Sequence, residues 1–323
     1  MLDTKKQRDI VGIGLLGLVL LGAMAGAACL GAVRLGPEAL WGSQIFWNLR
    51  LPRMVMSVLV GATLAVSGAA YQALFRNPLT DPYVLGVSSG ASLGATLAIL
   101  LGLQAYLWGI GCCALLAALL TVVLIYRIAS IGNRMHTTTL LLTGVCLTLL
   151  ISALISFLMV LHQDKMDAII FWTMGSFASA SWHEVVLLLP VVVVGIGVVV
   201  YHGRDLNLLL AGSETAQSLG VEVERVRRVL LATTSLMVAF AVSCSGVIGF
   251  VGLVVPHITR LLIGYDNRRL LPYAMMLGAL FMLICDTAAR CLMAPAELPV
   301  GSLTALVGAP MFIYLLYKNK KGI

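Results

Sequence analysis

Ten apolar stretches joined by short loops leave this chain very few folds. A bilayer span takes about 20 predominantly apolar residues at a rise of about 1.5 Å each. Val11–Val33, Met54–Phe75, Val84–Leu103, Leu107–Tyr126, Thr139–Leu161, Val185–Tyr201, Leu271–Met293 and Val300–Tyr317 each approach that length. Val229–Thr259 is uncharged throughout, too long for one simple span and short for two full ones. Ser245, Gly246, Gly249, Gly252 and Pro256 interrupt it. It reads as a full seventh helix, a reversal near Ser245–Gly249, and a short helix returning toward Arg260. Broken backbone at membrane depth is tolerated only where protein buries it or it lines a wet cavity. The expected fold is an all-α membrane protein. It is a polytopic bundle of about ten transmembrane helices with one broken, short helix after the seventh span, in a single domain over residues 1–323. A chain that is 60% hydrophobic and 11% charged lacks the charged surface of a soluble domain.

The loops are asymmetric in charge. If the spans alternate, one side receives Lys5, Lys6 and Arg8, then Arg76, Arg127 and Arg134, then Arg204, Arg225, Arg227 and Arg228, then Arg260, Arg268 and Arg269, and finally Lys318, Lys320 and Lys321. That side holds 16 of the 21 lysines and arginines. The other keeps Arg34, Arg50, Arg53, Lys165 and Arg290. The positive-inside rule then places both termini in the cytoplasm. The net charge of +7 reflects loops facing an anionic leaflet and calls for no nucleic acid.

Several simpler readings fall away. The basic residues before the first apolar run resemble a signal peptide, but the run is too long for one, so a retained span is expected. Cys29, Cys112, Cys113, Cys146, Cys244, Cys285 and Cys291 form no CxxC pair and lie almost entirely in apolar runs, where cysteine acts as a small hydrophobe. The five histidines are scattered, so no metal site is expected. Gly12, Gly14 and Gly17 match GxGxxG, but inside the first span and after no strand. No GxxxxGK[ST] motif occurs, so the chain offers no phosphate-cradling loop of that kind. Gly22 with Gly26, Ala65 with Ala69, and Gly90 with Gly94 suit close helix packing.

Three local signals remain. Pro52 suits a first helical turn, which sets Arg50 and Arg53 at the outer start of the second span. There they oppose both the positive-inside rule and the helix dipole. They either face headgroups and solvent or form a docking site for an acidic partner. Arg290, at the outer end of the ninth span, joins them on the second reading; Asp286, four residues earlier, is spaced for an ion pair with it. Pro78 and Pro82 force a non-helical inner turn, a rigid constriction or simply a tight connection. In Asn207–Gly220, Ser213 can cap a short helix, Glu214 suits its first turn and Gly220 its end. With Arg225, Arg227 and Arg228 following, this is a knob for a soluble partner or an interfacial helix.

Taken together, six segments resemble the FecCD permease family: Arg50-Leu-Pro-Arg53, Gly61-Ala62 with Ser67-Gly68, Gln72-Ala-Leu-Phe-Arg-Asn-Pro-Leu79, Leu85-Gly-Val-Ser-Ser-Gly90, Gly246-Val-Ile-Gly-Phe-Val-Gly-Leu-Val-Val-Pro-His257 and Glu297-Leu-Pro-Val-Gly301. These are the membrane subunits of bacterial ATP-binding-cassette (ABC) importers for iron–siderophores, haem and vitamin B12. The resemblance runs from about Arg50 to Pro310. It implies a dimer of ten-helix permeases, identical or related, with a pathway along the dimer axis. Two ATPase subunits lie on the cytoplasmic side and a substrate-binding protein lies outside. Arg50, Arg53 and Arg290 are implied to dock the binding protein. Thr137 and Thr138, with Asn77 and Leu79, are implied to form the cytoplasmic gate. Ser213, Glu214, Thr215, Ala216, Gln217, Ser218, Leu219 and Gly220 are implied to meet the ATPase, with Gln217 standing where relatives often carry a basic residue. The chain itself is implied to bind no cofactor and do no covalent chemistry, ATP and magnesium being used by its partners in the bacterial cytoplasmic membrane.

The expected function is therefore alternating-access import of an iron chelate, a ferric siderophore first and haem or cobalamin next. The rival class is an ion-coupled secondary transporter. Such proteins usually place ionisable groups near mid-membrane, whereas Asp286 lies toward the outer face, one turn from Arg290.

Overall fold

The computed structural model describes residues 2–31, 36, 42–106, 109–131, 134–135 and 137–320. Val33, Arg34, Leu107, His136 and Lys321, which enter the sequence reading, lie outside the described residues. Thirteen α-helices run through the described part: α1 (Leu2–Cys29), α2 (Leu51–Leu74), α3 (Val87–Leu100), α4 (Gly109–Ala129), α5 (Thr137–Leu161), α6 (Met166–Thr173), α7 (Trp182–Tyr201), α8 (Gly203–Ala211), α9 (Ser213–Ser218), α10 (Val223–Ser245), α11 (Val251–Ile263), α12 (Asn267–Cys291) and α13 (Val300–Lys320).

Seven are long and apolar enough to cross a membrane: α1, α2 with the π-helical turn that enters it (Phe46–Arg50), α4, α5, α7, α10 and α12. The remaining apolar stretches form the shorter helices α3, α11 and the apolar part of α13, Val300–Leu315. So about ten spans, of which the one after the seventh was expected to be short, resolve into seven long helices and three short ones. The third is short because Pro82–Leu85 forms a 3₁₀ turn and Gly86, at φ +68°, starts the helix late.

Two further details differ from expectation. Ser130–Ile131 and Arg134–Met135 pair as a small antiparallel hairpin between α4 and α5. The stretch His162–Glu184, polar at its ends, contains α6, whose Ile169 is buried; its apolar run is too brief to read as a span.

The centre of the bundle is α2, buried on nearly every side. Small residues make this possible, because in lipid close backbone approach replaces hydrophobic drive. A Cβ at Gly61 would overlap the Gly278 carbonyl of α12, and one at Gly278 would meet Ala65 and the Gly61 carbonyl. A Cβ at Gly68 would overlap the Gly252 carbonyl of α11. Gly90 and Gly94 likewise seat α3 against α4 at Thr121, Cys113 and Ala117. Gly22 and Gly26 behave differently: nothing among the described residues lies within 4 Å of a Cβ at either, so that pair seats none of the described helices.

The reversal falls where the glycines place it. α10 ends at Ser245, Gly246 turns at φ +67°, and α11 starts after Phe250. Its unpaired backbone is satisfied inside protein, as the bilayer demands. Ser176 N–H donates to the Ser245 carbonyl at 2.8 Å. The Tyr83 hydroxyl donates to the Ile248 carbonyl at 2.9 Å and accepts from Ile248 N–H at 3.3 Å. Gly175 and Gly301 have no room for a side chain because the Val247 carbonyl lies against both. At the basic face, Asp9 of α1 pairs with Arg269 of α12, and the Tyr273 hydroxyl donates to the Asp9 carbonyl at 3.3 Å.

Candidate functional site

At the face opposite the basic loops, the structure brings Arg50, Arg53 and Arg290 to the ends of α2 and α12, and it buries them. Their exposures are 6%, 7% and 5%. Asp286, fully buried, lies between two of them: Arg53 Nε is 2.9 Å from Oδ1 and Arg290 Nε is 3.2 Å from Oδ2. The i,i+4 pair read from the sequence therefore forms, and a second arginine shares its carboxylate from the neighbouring helix. Arg53 Nη1 also reaches both oxygens of Glu297, at 3.1 and 2.8 Å. Arg50 Nη1 donates to the Ala28 carbonyl at 2.6 Å, tying α1 to the entry of α2. Glu297 stands out in the sequence only as part of Glu297-Leu-Pro-Val-Gly301. The signal that could have found it is its position as the one acid in the loop Leu292–Pro299.

The residues expected at the gate lie on the turn after α2 and at the start of α5. Asn77 N–H donates to the Gln72 carbonyl at 3.1 Å, and Asn77 Oδ1 accepts from Leu79 N–H at 2.9 Å. Leu79 is left half exposed. α5, which begins at Thr137 and Thr138, comes against this turn where Gly144 meets the Val84 carbonyl. Among the described residues no hydrogen bond joins Thr137 or Thr138 to Asn77 or Leu79. Behind the turn, Gln72 donates to the Gly252 carbonyl at 3.3 Å and accepts from Arg260, linking α2 to both ends of α11.

Asp81 caps the 3₁₀ turn, accepting from Tyr83 N–H at 2.8 Å. Burial pushes its carboxyl up to about 6, above the ordinary value of about 4. Burial, reinforced by the Asp81 carboxylate, also raises the Tyr83 hydroxyl. Between those two pH values the folded chain binds more protons at Asp81 than the unfolded one, so stability falls as pH rises and levels off above about 6. Thermal unfolding of the detergent-solubilised protein from pH 4 to 7 is expected to show this decline. Asp81→Asn, which keeps the capping oxygen, is expected to lose that component; an unchanged profile would exclude the assignment.

On the basic face, α9 projects from the bundle. Glu214, Thr215, Gln217, Ser218 and Leu219 are exposed, while Ala216 is buried beneath them. Ser213 does not cap this helix: Gly212 holds the cap position at φ +127°, and the Ser213 hydroxyl instead accepts from Arg227 Nη2 at 2.8 Å. Gly220 ends it as expected. At φ +86° it donates to the Gln217 carbonyl at 3.0 Å, and Val221 donates to the Ala216 carbonyl at 3.0 Å, which is a Schellman closure. The anchors were not visible in the sequence. Arg227, which fixes α9 to α10 through Ser213, also pairs with Glu224 of its own helix at 3.4 Å. On α8, Asn207 Oδ1 accepts from Asn267 N–H at 2.8 Å and Asn267 Nδ2 at 2.9 Å, fixing α8 to the start of α12.

A helical membrane bundle with a protein-lined helix break, a buried ion cluster on one face and an anchored, exposed helix on the other has the build of a transport permease. The FecCD transport family matches residues 14–318, and the chain belongs to that family, the permease subunits of ABC importers. It is 46% identical over 272 residues to the cobalamin import system permease BtuC of Halobacterium salinarum, covering 84% of this chain and 73% of that protein. It is 41% identical to the vitamin B12 import system permease BtuC of Escherichia coli, covering 87% and 86%. A solved inward-facing structure of a metal-chelate type ABC transporter superposes with a TM-score of 0.87 at 35% identity, covering 95% of this chain and 98% of that one.

Proposed function

We propose that the chain carries an intact metal chelate inward by alternating access, with both termini cytoplasmic, as half of a permease dimer. Two ATPase subunits engage α9 and a binding protein docks over the Arg50, Arg53 and Arg290 cluster. The observation that carries this reading is α12. One 25-residue helix, about 37 Å long at 1.5 Å per residue, starts at Asn267, locked to α8, and ends beside Asp286 and Arg290. Force applied at α9 passes through the adjoining α8 into this helix and so to the outer cluster; the helix also lies along α2 at Gly61 and Gly278. Thr137, Thr138, Asn77 and Leu79 serve as the gate.

The two named permeases import cobalamin and the solved relative is of metal-chelate type, so a corrinoid is the first cargo to test. The ferric siderophore expected from the sequence gains no support from the named relatives. Reconstitution with its ATPase and binding protein in liposomes is expected to give cobalamin uptake that vanadate stops and an uncoupler does not. Concentration of a solute by the chain alone, driven by an ion gradient, would overturn the reading.

A further inference from the structure

A groove of about 490 Å³ opens between α4, α5 and α10, toward the basic end of the bundle. Leu119, Val122 and Tyr126 of α4, Leu140 of α5, and Leu231 and Leu236 of α10 line it. The Ser235 hydroxyl, also in the lining, is already bonded to Tyr71 at 2.9 Å, so no unmet polar group draws water in. Arg228 stands at one end. Leu236 lies two turns further along α10, about 12 Å away, so the groove runs lengthwise from the charged end into the apolar zone. Among the described residues no acidic one lines it. Arg228 is exposed, and among the described residues it makes no ion pair. Its Nε donates to the Glu224 main-chain carbonyl at 3.3 Å, while the Glu224 carboxylate is taken by Arg227.

We infer that this groove holds one anionic phospholipid of the inner leaflet, with an acyl chain along α4 and α10 and its phosphate on Arg228. An open apolar trough at membrane depth is filled by hydrocarbon at no desolvation cost. A guanidinium at its charged end selects a phosphate carrying net negative charge over a zwitterionic headgroup. The site also has a consequence for gating. Leu85 belongs to the inner turn, Leu140 lies one turn into α5 from Thr137, and Arg228 adjoins the residue that anchors α9. The lipid therefore packs between the gate and the coupling helix. Only the choice of leaflet and this consequence rest on the function proposed above; occupancy does not.

The test offers the purified full-length chain an equal mixture of phosphatidylglycerol and phosphatidylcholine in detergent and quantifies the retained lipid by mass spectrometry. The readout involves no ATPase, binding protein or cargo, so it succeeds or fails independently of the transport reading. Wild type is expected to retain phosphatidylglycerol by about fivefold over phosphatidylcholine, the worth of one basic residue at an anionic surface. Arg228→Gln is expected to abolish the preference. Ala232→Trp, at an exposed position in the lining, is expected to lower retention of both lipids. Equal retention by wild type, or a preference that survives Arg228→Gln, would overturn the proposal. So would a photo-crosslinker at position 232 that captures a second copy of the chain rather than lipid.

Discussion

Asp286→Ala is expected to cost about 3–5 kcal/mol of stability, the usual penalty for stripping one partner from a buried ion pair. Asp286 is 0% exposed and answers both Arg53 and Arg290; its removal leaves two guanidiniums facing each other in a site sealed from water. Glu297 makes the contrast. Its side chain is 38% exposed, so Glu297→Gln removes a rim interaction worth about 0–1 kcal/mol. Thermal unfolding of the two variants in the same detergent separates them. If both lose the same small amount, Asp286 does not hold the cluster together.

Gly68→Leu is expected to leave no monodisperse protein. The Gly252 carbonyl occupies the space a Cβ would need, and neither backbone can yield while α2 is buried all round. Gly68→Ala alone is expected to cost about 1–3 kcal/mol, as overpacking of a tight contact does. The control is Gly26→Leu, in the small-residue pair of α1. Nothing among the described residues comes within 4 Å of a Cβ there, so the change is expected to stay within about 0.5 kcal/mol. Size-exclusion profiles of the three variants decide the matter; a monodisperse Gly68→Leu protein would refute the close approach.

Those two glycines show what the sequence could and could not say. Hydropathy located the long helices because the bilayer imposes one length on each, and Gly246 marked the break because few other residues take its positive φ, whereas Pro256, read as a further interruption, lies inside α11. The sequence around each could not tell Gly68, pressed on another helix, from Gly26, which no other helix among the described residues approaches, since the difference lies in a partner 184 residues away from Gly68. The same holds at the sites. Arg290 with Asp286 was legible as a four-residue interval. Arg53 with Asp286, at a separation of 233 residues, was not. Ser213 misled for a related reason: a serine before an acidic first turn is a good cap, but Arg227 claimed its hydroxyl from another helix. Arg50, Arg53 and Arg290 were legible as misplaced cations at one face, but not their partners within the protein: the Ala28 carbonyl, Asp286 and Glu297.

Tyr83 has one more consequence. A single phenol, reaching from the inner turn, both gives a hydrogen bond to Ile248 and receives one from it, so it splices the proline-bounded turn onto the chain reversal. Those two segments cannot shear past one another without exposing an unpaired amide and carbonyl in a medium with no water to offer. Any working stroke must therefore carry them as a single block, with its hinges outside the residues that Tyr83 joins.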